Sequence, residues 1–207
     1  VFAVGIEWGN ELQVLGQHVG YSALAVGFAV LIGLPLGVAI GHSGRGRNVM
    51  LAAFGVLRAL PTLGLLTWLT LALPLGVRMP LVPSTIVLVV LAVPPVLAAA
   101  QSGVVSIPRP IVDAAVAMGL NTRQVVWSVE LPLALPTILG GIRSCALQVI
   151  ATATIAAYVG LGGIGRYLLD GMALRDYPLM LKGAVMVTVL ALVVDGLFAL
   201  VLKVRKV

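Results

Sequence analysis

Charged and aromatic side chains are what this sequence has least of. Only 10% of its 207 residues are charged and 5% are aromatic, while 60% are apolar. A water-soluble domain carries roughly 25% charged residues, so thirteen basic and seven acidic side chains do not cover the surface of a soluble fold of this length. The same figures exclude disorder, because disordered segments are poor in apolar residues. A single cysteine, Cys145, rules out a disulfide scaffold within the chain and reads as a small buried hydrophobe. The two histidines, His18 and His42, stand alone on either side of the first apolar run, so no His/Cys set is expected to hold a metal. No glycine loop of Walker A form precedes Lys182, Lys203 or Lys206, which excludes ATP hydrolysis by that route. The net charge of +6 lacks the interleaved aromatics of a nucleic-acid module. What remains is an all-α integral membrane protein.

A membrane span needs about 20 apolar residues, and long runs in lipid are helical because each backbone amide must be paired within its own segment. Five segments qualify: Val19–Ile40, Met50–Leu73, Ser84–Ala100, Gly140–Tyr158 and Leu179–Leu202. The first eighteen residues carry Glu7 and Glu11 but no Lys or Arg, so the basic start of a cleavable leader is missing and the first run reads as a retained span. Arg45, Arg47, Arg109, Arg123, Lys203, Arg205 and Lys206 fall on one side, against Arg78, Arg166, Arg175 and Lys182 on the other. The positive-inside rule then sets the N-terminus outside and the C-terminus inside. Gly33, Gly37 and Gly41 recur at helical spacing behind Ala25 and Ala29, the pattern that lets helix backbones approach closely in lipid, and Pro35 is expected to kink this helix. A tetrapeptide, Ala-Leu-Pro-Thr, stands at Ala59–Thr62 and again at Ala134–Thr137, with nothing around it repeating in register.

The stretch from about 101 to 135 is more than a connector. Pro108 and Pro110 stiffen its start, and Ile111–Met118 reads as a short helix with Asp113 in its first turn. Gly119 suits a left-handed stop, and Asn121 with Gln124 forms a capping-box pattern for a second helix that ends near Val129, before Pro132. Ala114, Ala115 and Ala117 leave the first helix almost without bulk, so it reads as a peg that enters a cleft on another protein.

Asp113-Ala114-Ala115, three residues, Gly119, nine residues, Val129, one residue, then Leu131-Pro132 resembles the EAA loop of ATP-binding-cassette importer permeases, with Asp in place of Glu and Val in place of Ile. Gly33–Gly37, Arg58–Leu66, Val129–Gly165 and Leu190–Gly196 are similar to permeases of the osmoprotectant, or quaternary-amine, uptake family; Ala151–Gly165 is especially so. The resemblance implies a type I importer permease fold forming one domain over residues 1–207, in a bacterial-type inner membrane. It also implies cytoplasmic ATPase subunits that hold the ATP and magnesium, a second permease of the same or a related chain, and an external solute-binding protein. The chain itself would bind no cofactor, and Asp113, Ala114, Ala115, Gly119, Val129, Leu131 and Pro132 would form the interface that couples to the ATPase. A permease for methionine or an alkyl sulfonate is the alternative within transporters, since the loop motif is widely shared; an ion-coupled secondary transporter is disfavoured by the lack of an inverted repeat.

Gly160, Gly162, Gly163 and Gly165 match the spelling of a dinucleotide site but follow an apolar span instead of a strand, so they read as a flexible re-entrant segment beside an outer gate. Arg58, Arg143 and Asp195 are ionisable groups inside spans. Asp195 is expected to make a structural contact with Arg143 or Arg58, with a place along the pathway as the alternative; Arg58 is also positioned to snorkel. Trp8, Trp68, Trp127 and Tyr158 are scattered over different segments and form no evident cage for a quaternary ammonium, so no residue is assigned to substrate.

Overall fold

The computed structural model describes residues 8–204, and the side chains of Trp8, Gly9, Leu51, Arg58 and Val204 lie outside that description. The described residues form α1 (Trp8–Ser43), α2 (Arg47–Ala59), α3 (Thr62–Ala72), α4 (Leu81–Val105), α5 (Arg109–Ala117), α6 (Thr122–Val125), a π turn (Val126–Glu130), α7 (Leu131–Thr152), a 3-10 segment (Ala153–Val159), α8 (Gly165–Leu174) and α9 (Tyr177–Val204). Four helical runs are long and apolar enough to cross a bilayer: Asn10–Ser43, Leu81–Val105, Thr122–Val159 and Tyr177–Lys203.

The segment expected as a second straight span is broken. Its halves, Arg47–Leu57 and Thr62–Ala72, meet at 86°, and the pair makes a fifth crossing only if taken together. Leu60 is extended there (φ −69°, ψ 127°), because the ring of Pro61 disfavours helical geometry in the residue before it. The same tetrapeptide at Ala134–Thr137 sits inside the continuous helix α7, around Pro136. The difference is packing: Ala134 and Ile138 are buried in a cluster with Ala100 and Val104 of α4, which holds α7 straight through its proline.

Core packing is built on α4. Along α1, Ala25 and Ala29 meet Leu88, Ala92 and Val96. The glycines continue this seam: a Cβ on Gly37 would lie 2.5 Å from the Leu97 carbonyl and 2.6 Å from Ala100, and one on Gly41 would lie 2.8 Å from Val104. Both partners advance in the same chain direction, so α1 and α4 are parallel. On the opposite flank Gly103 abuts Ala134 and Gly141 abuts Ala99, which makes α7 antiparallel to α4. Cys145, wholly buried, directs its thiol at the Ala92 carbonyl 3.4 Å away. α1 remains one helix through Pro35.

Between α4 and α7 the chain departs from the expected loop in two ways. α5 begins at Arg109, after Pro108, so Asp113 falls in its second turn and does not face the N-terminal end of the helix dipole. The second short helix does not end before Pro132 either. After α6 the chain widens into the π turn, where the Leu131 N–H reaches the Val126 carbonyl, and passes directly into α7. The extra residue gives the Pro132 ring clearance from the preceding carbonyls and removes the demand on its missing N–H.

Overpacking in a tight seam costs about 1–3 kcal/mol. Gly37→Val is therefore expected to lower the thermal midpoint of the purified chain well below that of Gly27→Val, where a Cβ meets nothing within 4 Å. Equal midpoints in a detergent melt would contradict the assigned seam.

Candidate functional site

The segment from α5 to the π turn projects from the helical body as a turn-linked pair. Gly119 takes φ +89°, a left-handed conformation that costs other residues roughly 1–2 kcal/mol, and so reverses the chain after α5. Asn121 and Gln124 then exchange side-chain-to-backbone hydrogen bonds of 3.0 and 2.9 Å, which fixes the start of α6. Helical geometry splits the alanine face expected for docking. Ala115 is 2% exposed and packs inward, whereas Asp113, Ala114 and Ala117 are exposed. The outer surface also carries Ile111, Val116 and Met118, the last 75% exposed, so the peg is apolar and only partly bare. Val129 and Leu131 are half-buried and Pro132 is exposed, all three where the projecting pair joins α7.

At the other end of the molecule the 3-10 segment stops at Gly160 and the chain passes through Gly162 and Gly163 into α8. This loop is pinned. The Tyr21 hydroxyl donates to the Gly162 carbonyl at 3.0 Å and lies 2.8 Å from His18 Nδ1. His18 Nε2–H donates to the Ile150 carbonyl at 3.0 Å, so Nδ1 is the acceptor face of the neutral ring. One hydroxyl proton thus serves two acceptors, and α1, α7 and the glycine loop are held at one point. Gly163 has φ +93°, and a Cβ there would run into the Tyr21 hydroxyl. A Cβ on Gly162 would meet only the movable amide of Gln17, and one on Gly165 would meet the Thr154 carbonyl.

Two ion pairs tie further helices together. Arg143 Nε and Nη2 on α7 donate to the two carboxylate oxygens of Asp195 on α9, each at 2.6 Å. A bidentate pair of this kind is how two charges persist at membrane depth, since either alone would be left without a counter-charge. Lys182 on α9 pairs with Glu11 on α1, and its ammonium lies 5.0 Å from the Tyr167 ring centre. The Arg58 side chain lies outside the described residues. Trp68, Trp127 and Tyr158 sit on α3, the π turn and the 3-10 segment, and all three are exposed.

The histidines are not isolated. Besides His18, His42 at the end of α1 faces Glu130 of the π turn. Sequence reasoning missed Glu130 because the chain was expected to break before Pro132, which placed that acid in a loop. Continued through the proline, the apolar helix would have exposed it as a lone carboxylate within a span. Among the described residues no cluster of His, Cys, Asp or Glu suits a metal ion.

Two outcomes follow from these contacts. Gly163→Ala is expected to reduce solute uptake and thermal stability more than Gly162→Ala, and equal effects in an uptake assay would contradict the pinned loop. Single Arg143→Asp and Asp195→Arg variants are each expected to lose function that the exchanged double variant regains, while strict additivity of the two losses would argue against the pair.

The comparisons with known proteins fit this geometry. Residues 29–205 match the family described as binding-protein-dependent transport system inner membrane component. The chain is 30% identical over 191 residues to the glycine betaine/carnitine/choline transport system permease protein OpuCB of Bacillus subtilis (strain 168), covering 92% of this chain and 86% of that protein. It is 34% identical over 186 residues to the carnitine transport permease protein OpuCB of Listeria monocytogenes, covering 90% and 84%. The fold superposes on a solved chain of the inward-facing MetNI methionine ABC transporter with a TM-score of 0.83 at 20% identity, covering 98% of this chain and 99% of that one. A bundle of apolar spans carrying a projecting helical pair, with the family match running over residues 29–205, makes this chain a member of the binding-protein-dependent inner-membrane transport components.

Proposed function

We propose that this permease carries osmoprotectants, chiefly quaternary-ammonium solutes such as glycine betaine, carnitine and choline, with proline as a further candidate, into the cell on energy from separate ATPase subunits. The solute class rests on the relatives at 30–34% identity, whose names specify glycine betaine, carnitine and choline. The likeness to the methionine transporter, at 20% identity, bears on the fold alone. In this reading the N-terminus is outside and the C-terminus inside, and the α5–α6 pair faces the cytoplasm. A second permease completes the pathway, and an external solute-binding protein delivers the solute. ATP and magnesium are held by the ATPase; this chain binds no cofactor and has no catalytic site of its own.

The observation that carries the coupling role is the apolar surface left exposed around α5 and at its C-cap, Met118. Ile111, Val116 and Met118 are 43%, 57% and 75% exposed on a nine-residue helix that leans on its own chain through Ala115. An apolar surface on a short, rigidly capped projection is what a groove in a moving partner grips. Asp113 and Ala114 lie on the same accessible part of α5, and Gly119 sets the angle at which it is presented.

A Cβ at Gly119 meets nothing within 4 Å, so a larger side chain there does not clash inside this chain. Gly119→Glu is accordingly expected to insert in the membrane normally while abolishing uptake and solute-stimulated ATP hydrolysis. Wild-type stimulation in that variant would refute the docking role. For the solute, the complex reconstituted with its co-purifying ATPase should take up labelled betaine, carnitine or choline at least tenfold faster than methionine, and only with ATP. Preferential methionine uptake would overturn the proposed class.

A further inference from the structure

His42 Nδ1 lies 3.0 and 2.9 Å from the two carboxylate oxygens of Glu130. Glu130 is 4% exposed and closes the π turn through which the projecting pair passes into α7. Among the described residues, His42 is the basic side chain found within ion-pair distance of it. A carboxylate buried in an apolar run needs such a partner, because removing either member leaves a polar group stranded. Beside the pair lies a groove of about 480 Å³ that His42, Pro35, Trp127 and Leu131 help to line. Leu34 and Val38 of α1 and Leu131 of α7 pack on the Ala100–Val104–Ala134–Ile138 cluster, and His42–Glu130 adds a polar strut from the end of α1 to the π turn.

The rest of α1 is well placed to transmit what the strut delivers. From Ala25 to Gly41 it is seated on α4 through the small-residue seam, so the two parallel helices form one stiff body. His18 stands 24 residues before His42, about 36 Å away along the helix at 1.5 Å per residue. There His18 and Tyr21 grip the Ile150 carbonyl and the Gly162 carbonyl of the glycine loop. The two histidines of the chain therefore occupy opposite ends of one helix. Each fastens that helix to a segment from a distant part of the sequence.

We infer that Glu130 and His42 are a positioning pair that makes the α1–α4 body follow the coupling segment, and that α1 carries this displacement to the glycine loop through His18 and Tyr21. The inference rests on the coupling role proposed for α5–α6. Without the pair, movement of the projection would be taken up in the groove beside Trp127. ATP turnover would then continue while the far end of the molecule stops responding.

The test uses the complete reconstituted transporter with its ATPase and binding protein. A reporter cysteine replaces Tyr158, which is 53% exposed at the start of the glycine loop, while Cys145 stays buried and unlabelled. Glu130→Ala and His42→Ala are expected to retain ATPase association and basal hydrolysis. They should transport at least tenfold less solute per ATP and lose the nucleotide-dependent change in labelling rate at position 158. Glu130→Gln, which keeps a hydrogen-bonding group, is expected to be milder, and the exchange His42→Glu with Glu130→His is expected to restore most of the coupling. Normal coupling and labelling in the alanine variants would overturn the inference. So would a loss of ATPase association that the exchange does not repair, because the pair would then serve assembly alone. If the unmodified transporter shows no nucleotide-dependent labelling change, the coupling reading itself fails and takes the inference with it.

Discussion

In hydrocarbon an apolar side chain gains nothing by leaving lipid for another helix, so helices associate where their backbones come close and their few polar groups find partners. The molecule is arranged around that constraint. α4 is the shared partner, with α1 parallel on one flank and α7 antiparallel on the other. The seams are lined with Gly33, Gly37 and Gly41 on one side and Gly103, Gly141 and Ala134 on the other. Close backbone approach makes these contacts stiff, because almost no side chain lies between the helices to yield. α9 lies outside this seam: it packs on α8 where Gly183 meets Tyr167 and Gly171 meets Met180, and it is tied further by Arg143–Asp195 and Lys182–Glu11. The body is thus a closely packed three-helix layer with α9 added by glycine contacts to α8 and by ion pairs.

On that layer the chain sets two small irregular elements at opposite ends of α1. One is the projecting pair α5–α6, stiffened by the Asn121–Gln124 capping box and merged into α7 by a π turn. The other is the glycine loop before α8, held down by Tyr21. Both are suited to movement, since each is short, rigid in itself and joined to the helical layer by a handful of directional contacts. In the proposed function this becomes a mechanical division, in which a stiff body is worked from one end and answers at the other.

Much of this was legible in the sequence because it depends on local spacing. The apolar runs announce the spans, the four-residue glycine spacing announces the α1 seam, and Asn121 with Gln124 announces the α6 cap. The failures are equally physical. Leu60–Pro61 breaks a helix and Leu135–Pro136 does not, and only the neighbours of α7 decide this. Pro132 read as a stop because a π turn has no sequence signature. The one-in-three-or-four rhythm of a helix also cannot be guessed from a run of alanines, so Ala115 was assigned to the docking face when it packs inward. Arg143 with Asp195 was legible as one of two pairings, because both are ionisable groups inside apolar spans; least visible were His42 with Glu130 and Tyr21 with Gly162, whose partners lie far apart in the chain. Each lone polar residue in an apolar segment signalled a partner without naming it.

The claim on which the rest turns is that α5 seats in a nucleotide-hydrolysing subunit on the cytoplasmic face. Its most direct test is site-specific crosslinking from Met118, the most exposed large apolar residue of that projection, in native membranes. With cysteine at this position and a short thiol-to-amine crosslinker, the expected product is a single adduct with the ATPase subunit whose yield changes when ATP is added. Labelling of residue 118 by a membrane-impermeant reagent from outside intact cells, with no such adduct, would contradict it.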